Sequence, residues 1–183
     1  SLKEKIKELS AELLPQIIEI RRTIHQNPEL SFQEYETSKY IKSVLSDWDI
    51  PFQDGIADTG IVVLLKGNKP EKSCTTLRAD FDALPIKEEN EVEYCSKNDG
   101  VMHACGHDAH MTIVTSLALY FMYTRPEIDG KVRFIFQPAE EQAPGGAIAM
   151  IEGGAIEGIN HIIAGHVLPK LNADKIGLKH GAM

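Results

Sequence analysis

The sequence predicts an α/β domain with a mixed, mostly parallel central sheet flanked by helices. Short apolar runs bounded by glycine or polar residues alternate with segments whose apolar residues recur every three or four positions. Alternation of that kind builds a parallel sheet with helices on its faces. The residues able to do chemistry also collect just after the predicted strands, where open α/β sheets place their sites.

The elements follow in order. Leu2, Ile6, Leu9, Leu13, Ile17, Ile20 and Ile24 form one buried helical face. Pro15 removes a backbone donor inside it, which predicts either a kink or a second helix beginning there, and Asn27-Pro28 ends the segment. Ser31 stands three residues before Glu34, the pattern of a capping box, opening a helix through Tyr35, Tyr40, Ile41, Val44 and Leu45. Ile61–Leu65, between Gly60 and Gly67, reads as a strand buried on both faces. Thr75–Asp80 reads as a second strand that delivers Asp80 at its C-terminal end. A loop over 102–108 precedes a helix from about Asp108, its expected cap, through Met111, Val114, Leu117 and Phe121 to about Tyr123. Lys131–Phe136 is a strand leading into Glu140-Glu141, a short helix covers Ala147–Ile151, and His161–Ala164 is a strand ending at Gly165-His166.

Bulk composition narrows the function. A chain of 183 residues, 43% hydrophobic and 25% charged, is long enough for one domain with a substantial core. Scattered basic residues and a net charge of −8 argue against nucleic acid and anionic membrane as partners. No apolar run is long enough to span a bilayer, and Ser1–Lys5 is not a signal peptide. Cys74, Cys95 and Cys105 are irregularly spaced and odd in number, which points to a reducing compartment; a cytoplasmic protein is expected.

The densest chemistry is Met102–His110, where His103, Cys105, His107, Asp108 and His110 crowd around Gly106. A thiol and an imidazole two residues apart suit zinc and tolerate manganese, cobalt or nickel. Glu140 and Glu141, placed on a strand, would face opposite ways, so one can bind metal while the other acts as general base. His166 adds an imidazole, and His103 and His110 are expected to orient ligands rather than to bind. The bland alternatives are a solvated Glu pair, an ordinary histidine at a strand end, and Asp80 and Asp82 closing a turn before Pro85.

Four segments in order resemble one family: Arg21–Phe32, Arg78–Ile86, His103–His110 and Phe136–Glu141. The chain from Arg21 onward is similar to the metal-dependent N-acyl-amino-acid amidohydrolases, the hippurate hydrolase and indole-acetyl-amino-acid hydrolase branch of the aminoacylase and carboxypeptidase superfamily. The resemblance implies a zinc-peptidase-like catalytic domain. It implies a site for two divalent ions, zinc or manganese with nickel or cobalt as alternatives, bound by Cys105, His107, Glu141 and His166. It further implies Glu140 as general base and Asp80 as a catalytic carboxylate beside the site, although Arg78 replaces a histidine of the family pattern. The implied reaction is hydrolysis of an N-acyl amino acid at its amide bond. Members of the family are about twice as long, so residues 1–183 are expected to be the N-terminal part of a single catalytic domain. An inserted lid domain, used for dimerisation, and a C-terminal half with a fifth, histidine ligand would follow; His180 lies too near the junction to replace that ligand. Three other readings are an inactive metal-binding fragment, an amidase with Cys105 as nucleophile, and a structural zinc knot of Cys95, His103, Cys105 and His107.

Overall fold

A computed structural model describes residues 1–178 of the chain. Its elements are α1 (Leu2–Gln26), α2 (Tyr35–Asp47), β1 (Phe52–Ile56), β2 (Gly60–Lys66), β3 (Cys74–Asp80), α3 (His107–Thr124), β4 (Lys131–Gln137), α4 (Gly146–Glu152) and β5 (His161–Ala164). The sheet is mixed, as expected, in the order β1-β2-β4-β3-β5. Its parallel pairings join β3 to β4 and to β5, while β2 runs antiparallel to both β1 and β4.

The period of two along the strands sorts side chains between two cores. Ile61, Val63 and Leu65 of β2 and Phe134 and Phe136 of β4 pack with Ile20, Ile24, Ile41, Leu45, Met111 and Ala118 under α1, α2 and α3. Val62 and Ile135 face the other way, onto Met150 of α4 and Ala155. The result is three layers, with one face far better covered than the other. Leu64 is 38% exposed because short α4 does not reach it, so β2 is not buried along its whole second face.

Several local expectations are corrected. Of the two outcomes expected at Pro15, a second helix beginning there is not formed: α1 runs through it on an exposed turn, flanked by core contacts of Leu13, Ile20 and Ile24. Ser31 and Glu34 form no capping box. Glu34 is the cap residue of α2 but its side chain caps nothing, and the Ser31 hydroxyl donates to Asp82 Oδ2 at 2.6 Å. Asp108 is not the cap of α3 either: that position falls to Gly106, and Asp108 is buried in the first turn. The edge strand β1, unannounced in the sequence, follows from pairing of Phe52–Ile56 with β2. No helix of the described residues is long and apolar enough to cross a membrane.

Register positions the site. Asp80 stands opposite Gln137 across β3 and β4, and Arg78 stands opposite Ala164 across β3 and β5. The C-terminal ends of three adjacent parallel strands therefore finish side by side, bringing Asp80, the turn 138–141 and Gly165-His166 to one edge, as predicted from placement.

Candidate metal centre

His107 is the centre of this edge. Gly106, at φ +97°, turns the chain into α3, and a Cβ there would lie 2.2 Å from Val167 Cγ2, so the loop and the end of β5 touch. His107 is therefore the first residue of a helix rather than part of an extended loop. Its Nδ1–H donates to the Asp82 backbone carbonyl at 2.8 Å, with Asp82 Oδ1 at 3.3 Å. That bond leaves Nε2 as the free nitrogen. Nε2 is buried, has no hydrogen-bond partner, and lies 3.7 Å from Asp80 Oδ2, 3.7 Å from Glu141 Oε1 and 3.9 Å from Glu140 Oε2.

Cys105 and His166 close the other side, with Sγ 3.2 Å from His166 Nε2. Among the described residues, three overlapping groups of side chains can hold a metal ion: Cys105 with His107 and His166, Asp80 with His107 and His110, and His107 with Glu140 and Glu141. The second group is weakened by hydrogen bonding. His110 Nδ1 donates to Asp80 Oδ1 at 2.8 Å, and its Nε2 accepts the Val167 N–H at 3.0 Å. Both of its nitrogens are therefore committed, and it joins Asp80 to the residue after His166. The structure thus brings Asp80, Cys105, His107, Glu140, Glu141 and His166 together; His103 and Cys95 enter none of the three groups.

The glutamates are placed by two buried carboxylates. Glu140 and Glu141 lie on a bend after β4, not on the strand itself. Asp82 Oδ2 accepts the Glu141 N–H at 2.8 Å, and Glu34 Oε1 accepts the Ala139 N–H at 2.7 Å, with Ala139 in the left-handed region at φ +48°. Gly146 belongs to the same packing, since a Cβ there would lie 2.1 Å from the Pro138 carbonyl. Asp82, read from sequence as a turn former, is an anchor that joins Ser31, Glu141 and His107. Glu34 was read as half of a cap. The sequence marks Asp82 as a carboxylate between Phe81 and Ala83, whereas Glu34, between Gln33 and Tyr35, carries no such signal.

Electrostatics favour a cation here. Burial alone would make His107 neutral, but hydrogen bonding to Asp82 and the charges of Asp80 and Asp82 hold its pKa above the ordinary value. Burial, hydrogen bonding to Glu141, and the charges of Glu141, Asp80 and Glu140 push the Cys105 thiol up to about 12. Burial and the neighbouring carboxylates disfavour the free thiolate that a cysteine amidase needs, although His166 Nε2 stands 3.2 Å from the sulfur; a bound cation would displace the proton. The zinc knot fails, because Cys95 Sγ donates to the Asn90 carbonyl at 2.8 Å, away from these groups. His180 lies outside the described residues.

Three buried aspartates sit below the usual carboxylate range. Burial opposes this in each. It is outweighed by His110, His107 and Arg78 at Asp80, by His107, Ser31 and the 140–141 amides at Asp82, and by His25, His103 and Arg21 at Asp108. A carboxylate with a depressed folded pKa contributes its full stabilisation above an unfolded value of ~3.9 and loses it as pH falls through the folded value. Urea midpoints of the metal-free chain should therefore decline below about pH 4, and less steeply in Asp82→Asn. Parallel curves for the two proteins would remove Asp82 from this account.

Residues 76–181 match the profile of Peptidase family M20/M25/M40. Over 181 residues the chain is 41% identical to the N-acyl-L-amino acid amidohydrolase of Geobacillus stearothermophilus, an alignment covering 99% of this chain and 49% of that protein. It is 42% identical over 168 residues to the N-acetylcysteine deacetylase of Bacillus subtilis (strain 168), covering 91% of this chain and 44% of that protein. The Bacillus subtilis YXEP protein, described as a dinuclear metal binding peptidase from the M20 family, has a similar structure. It gives a TM-score of 0.87 at 42% identity, over 91% of this chain and 47% of that one. The chain spans about half the length of these relatives.

Proposed function

The chain belongs to peptidase family M20/M25/M40, and from that membership we propose that it is the N-terminal part of a catalytic domain that hydrolyses the amide bond of N-acyl amino acids. The carrying observation is the buried, unpartnered His107 Nε2, with oxygens of three carboxylates within 3.9 Å. Such a cluster calls for positive charge. Cys105, His107, Glu141 and His166 would hold two divalent ions, and the thiolate, imidazole and carboxylate set suits zinc or manganese, with cobalt or nickel as alternatives. Bound there, the ions supply Lewis acidity toward the amide carbonyl and lower the pKa of the attacking water.

The protein's own groups do the rest. Asp82 fixes the His107 tautomer through its carbonyl and holds the Glu141 amide, so both side chains are aimed before substrate arrives. Glu140, its side chain 43% exposed, is placed to meet water and substrate. It takes one proton from water as the oxygen attacks the acyl carbon and gives it to the nitrogen as the C–N bond breaks; the water's second proton, lost from the new carboxylic acid, passes to the amine, leaving a carboxylate and a protonated amine. Asp80, held by Arg78 at 2.7 Å and by His110, acts through His110 on the Val167 amide and so on the position of His166.

Completion of this domain by further chain is part of the proposal. Ile162 and Ile163 of β5 and Leu168 just beyond are 54–60% exposed beside the site, an apolar surface that needs cover. The covering portion would add a fifth ligand and the groups that grip the substrate carboxylate, and a lid in it would form a homodimer. Alone, this half is expected to bind metal without turning over substrate.

Elemental analysis after dialysis against limiting zinc or manganese tests the site. Two ions, or one held tightly, should be retained by the wild-type chain and lost in Cys105→Ser and Glu141→Ala. A wild-type chain free of metal, or variants that bind as well as wild type, would overturn this assignment.

A further inference from the structure

A second buried charge cluster lies behind the metal-site loop. His25 of α1 is 3% exposed. Its Nδ1 lies 2.7 Å from Asp108 Oδ2, and its Nε2 lies 3.1 Å from Glu88 Oε1. A neutral imidazole donates from one nitrogen only, so a ring set between two carboxylates is satisfied only when both nitrogens carry protons. Arg21 Nε adds a contact to Asp108 Oδ2 at 2.8 Å. Two cations thus face two carboxylates, and the cluster is electrically balanced. The Tyr94 ring closes it, edge-on to His25 at 5.8 Å and under the Arg21 and Arg22 guanidiniums.

The elements joined here matter more than the charges. Residues 81–106 contain no helix and no long strand, yet they carry Cys105 and lead into His107. Glu88 folds that segment on itself through the Ser96 N–H at 2.6 Å and Asn90 at 2.9 Å. Lys97 N–H donates to the Gln26 carbonyl at 2.8 Å, so the segment lies against the end of α1. Asp108 is the next residue after His107. His25 therefore ties the long segment, α1 and the first turn of α3 together by hydrogen bonds from both of its ring nitrogens, and Arg21 adds a second link through Asp108 and the Tyr94 ring.

We infer that His25, as an imidazolium clamped between Asp108 and Glu88, is a positioning residue that sets Cys105 and His107 for metal binding. The inference rests on the proposed metal centre, but the clamp itself has a readout that needs no metal. His25→Gln keeps one donor for Asp108 and loses a buried positive charge, leaving Glu88 facing an amide oxygen. Adding Glu88→Gln restores the charge balance: the new amide donates to the residue-25 oxygen and still accepts the Ser96 N–H, while exposed Asn90, which donates to Glu88 Oε1 in the wild type, turns its side-chain oxygen toward the new NH2.

The experiment compares the wild-type chain, His25→Gln and His25→Gln/Glu88→Gln by amide hydrogen exchange and by cobalt binding. Exchange at the Ala109 and His110 amides, both bonded to the Gly106 carbonyl, should rise about tenfold or more in His25→Gln and return toward wild type in the double variant. Cobalt affinity should fall and recover in the same order. Exchange that does not change in His25→Gln, or that stays raised in the double variant, overturns the clamp. Exchange that follows the expected order while cobalt affinity stays constant overturns the positioning role. A wild-type chain that binds no cobalt sinks the metal centre and the positioning role with it, whereas the exchange result still decides the clamp.

Discussion

Glu140→Gln in the complete catalytic domain proposed above should lower kcat on an N-acyl amino acid by about 10²–10⁴-fold while leaving metal content and KM nearly unchanged. The two neighbouring glutamates are treated differently by the fold. Glu141 has its amide held by Asp82 and its side chain drawn inward to 23% exposure, whereas Glu140 stays 43% exposed at the mouth of the cluster. A glutamine at 140 keeps the shape and loses the proton acceptor. A loss of that size with bound metal intact separates proton transfer from metal binding. Loss of metal in Glu140→Gln would instead make Glu140 a ligand, and the roles of the two glutamates would have to be exchanged.

Asp82→Ala is expected to weaken both the metal-free fold and the metal site. The buried carboxylate receives the Ser31 hydroxyl and the Glu141 amide and stands 3.3 Å from His107 Nδ1. Alanine leaves those donors buried without an acceptor, at a cost of about 2–4 kcal/mol. Metal affinity should fall about 10–100-fold as well, because the turn bearing Glu141 is no longer held. Urea unfolding with zinc titration measures both. A variant as stable as wild type would show that water replaces the carboxylate, and Asp82 would lose its place as the anchor of the turn.

Much of this was legible from residue order. Strand and helix periods located every main element except β1, whose partly exposed Phe52–Ile56 lacks an apolar run and pairs only because β2 is beside it. Cys105, His107, Glu140, Glu141 and His166 were readable as a set because each is a strong donor just beyond a strand end or in one loop. Parallel alignment of strand ends is a backbone property, so the apolar pattern that sets the sheet also gathers those donors.

Other assignments depended on long-range contacts. Ser31 and Glu34 match a capping box locally, but they sit against Asp82 and Ala139, and partners 51 and 105 residues away outcompete the local bonds. Asp108 has the local form of a helix cap, yet His25, 83 positions earlier, takes its carboxylate. The sequence by itself determined the layered sheet and which side chains can bind a cation, because hydrophobic period and donor chemistry are written residue by residue. Only the tertiary structure decided which carboxylates support that site from behind, because a buried polar group takes whichever partner packing brings within hydrogen-bond distance.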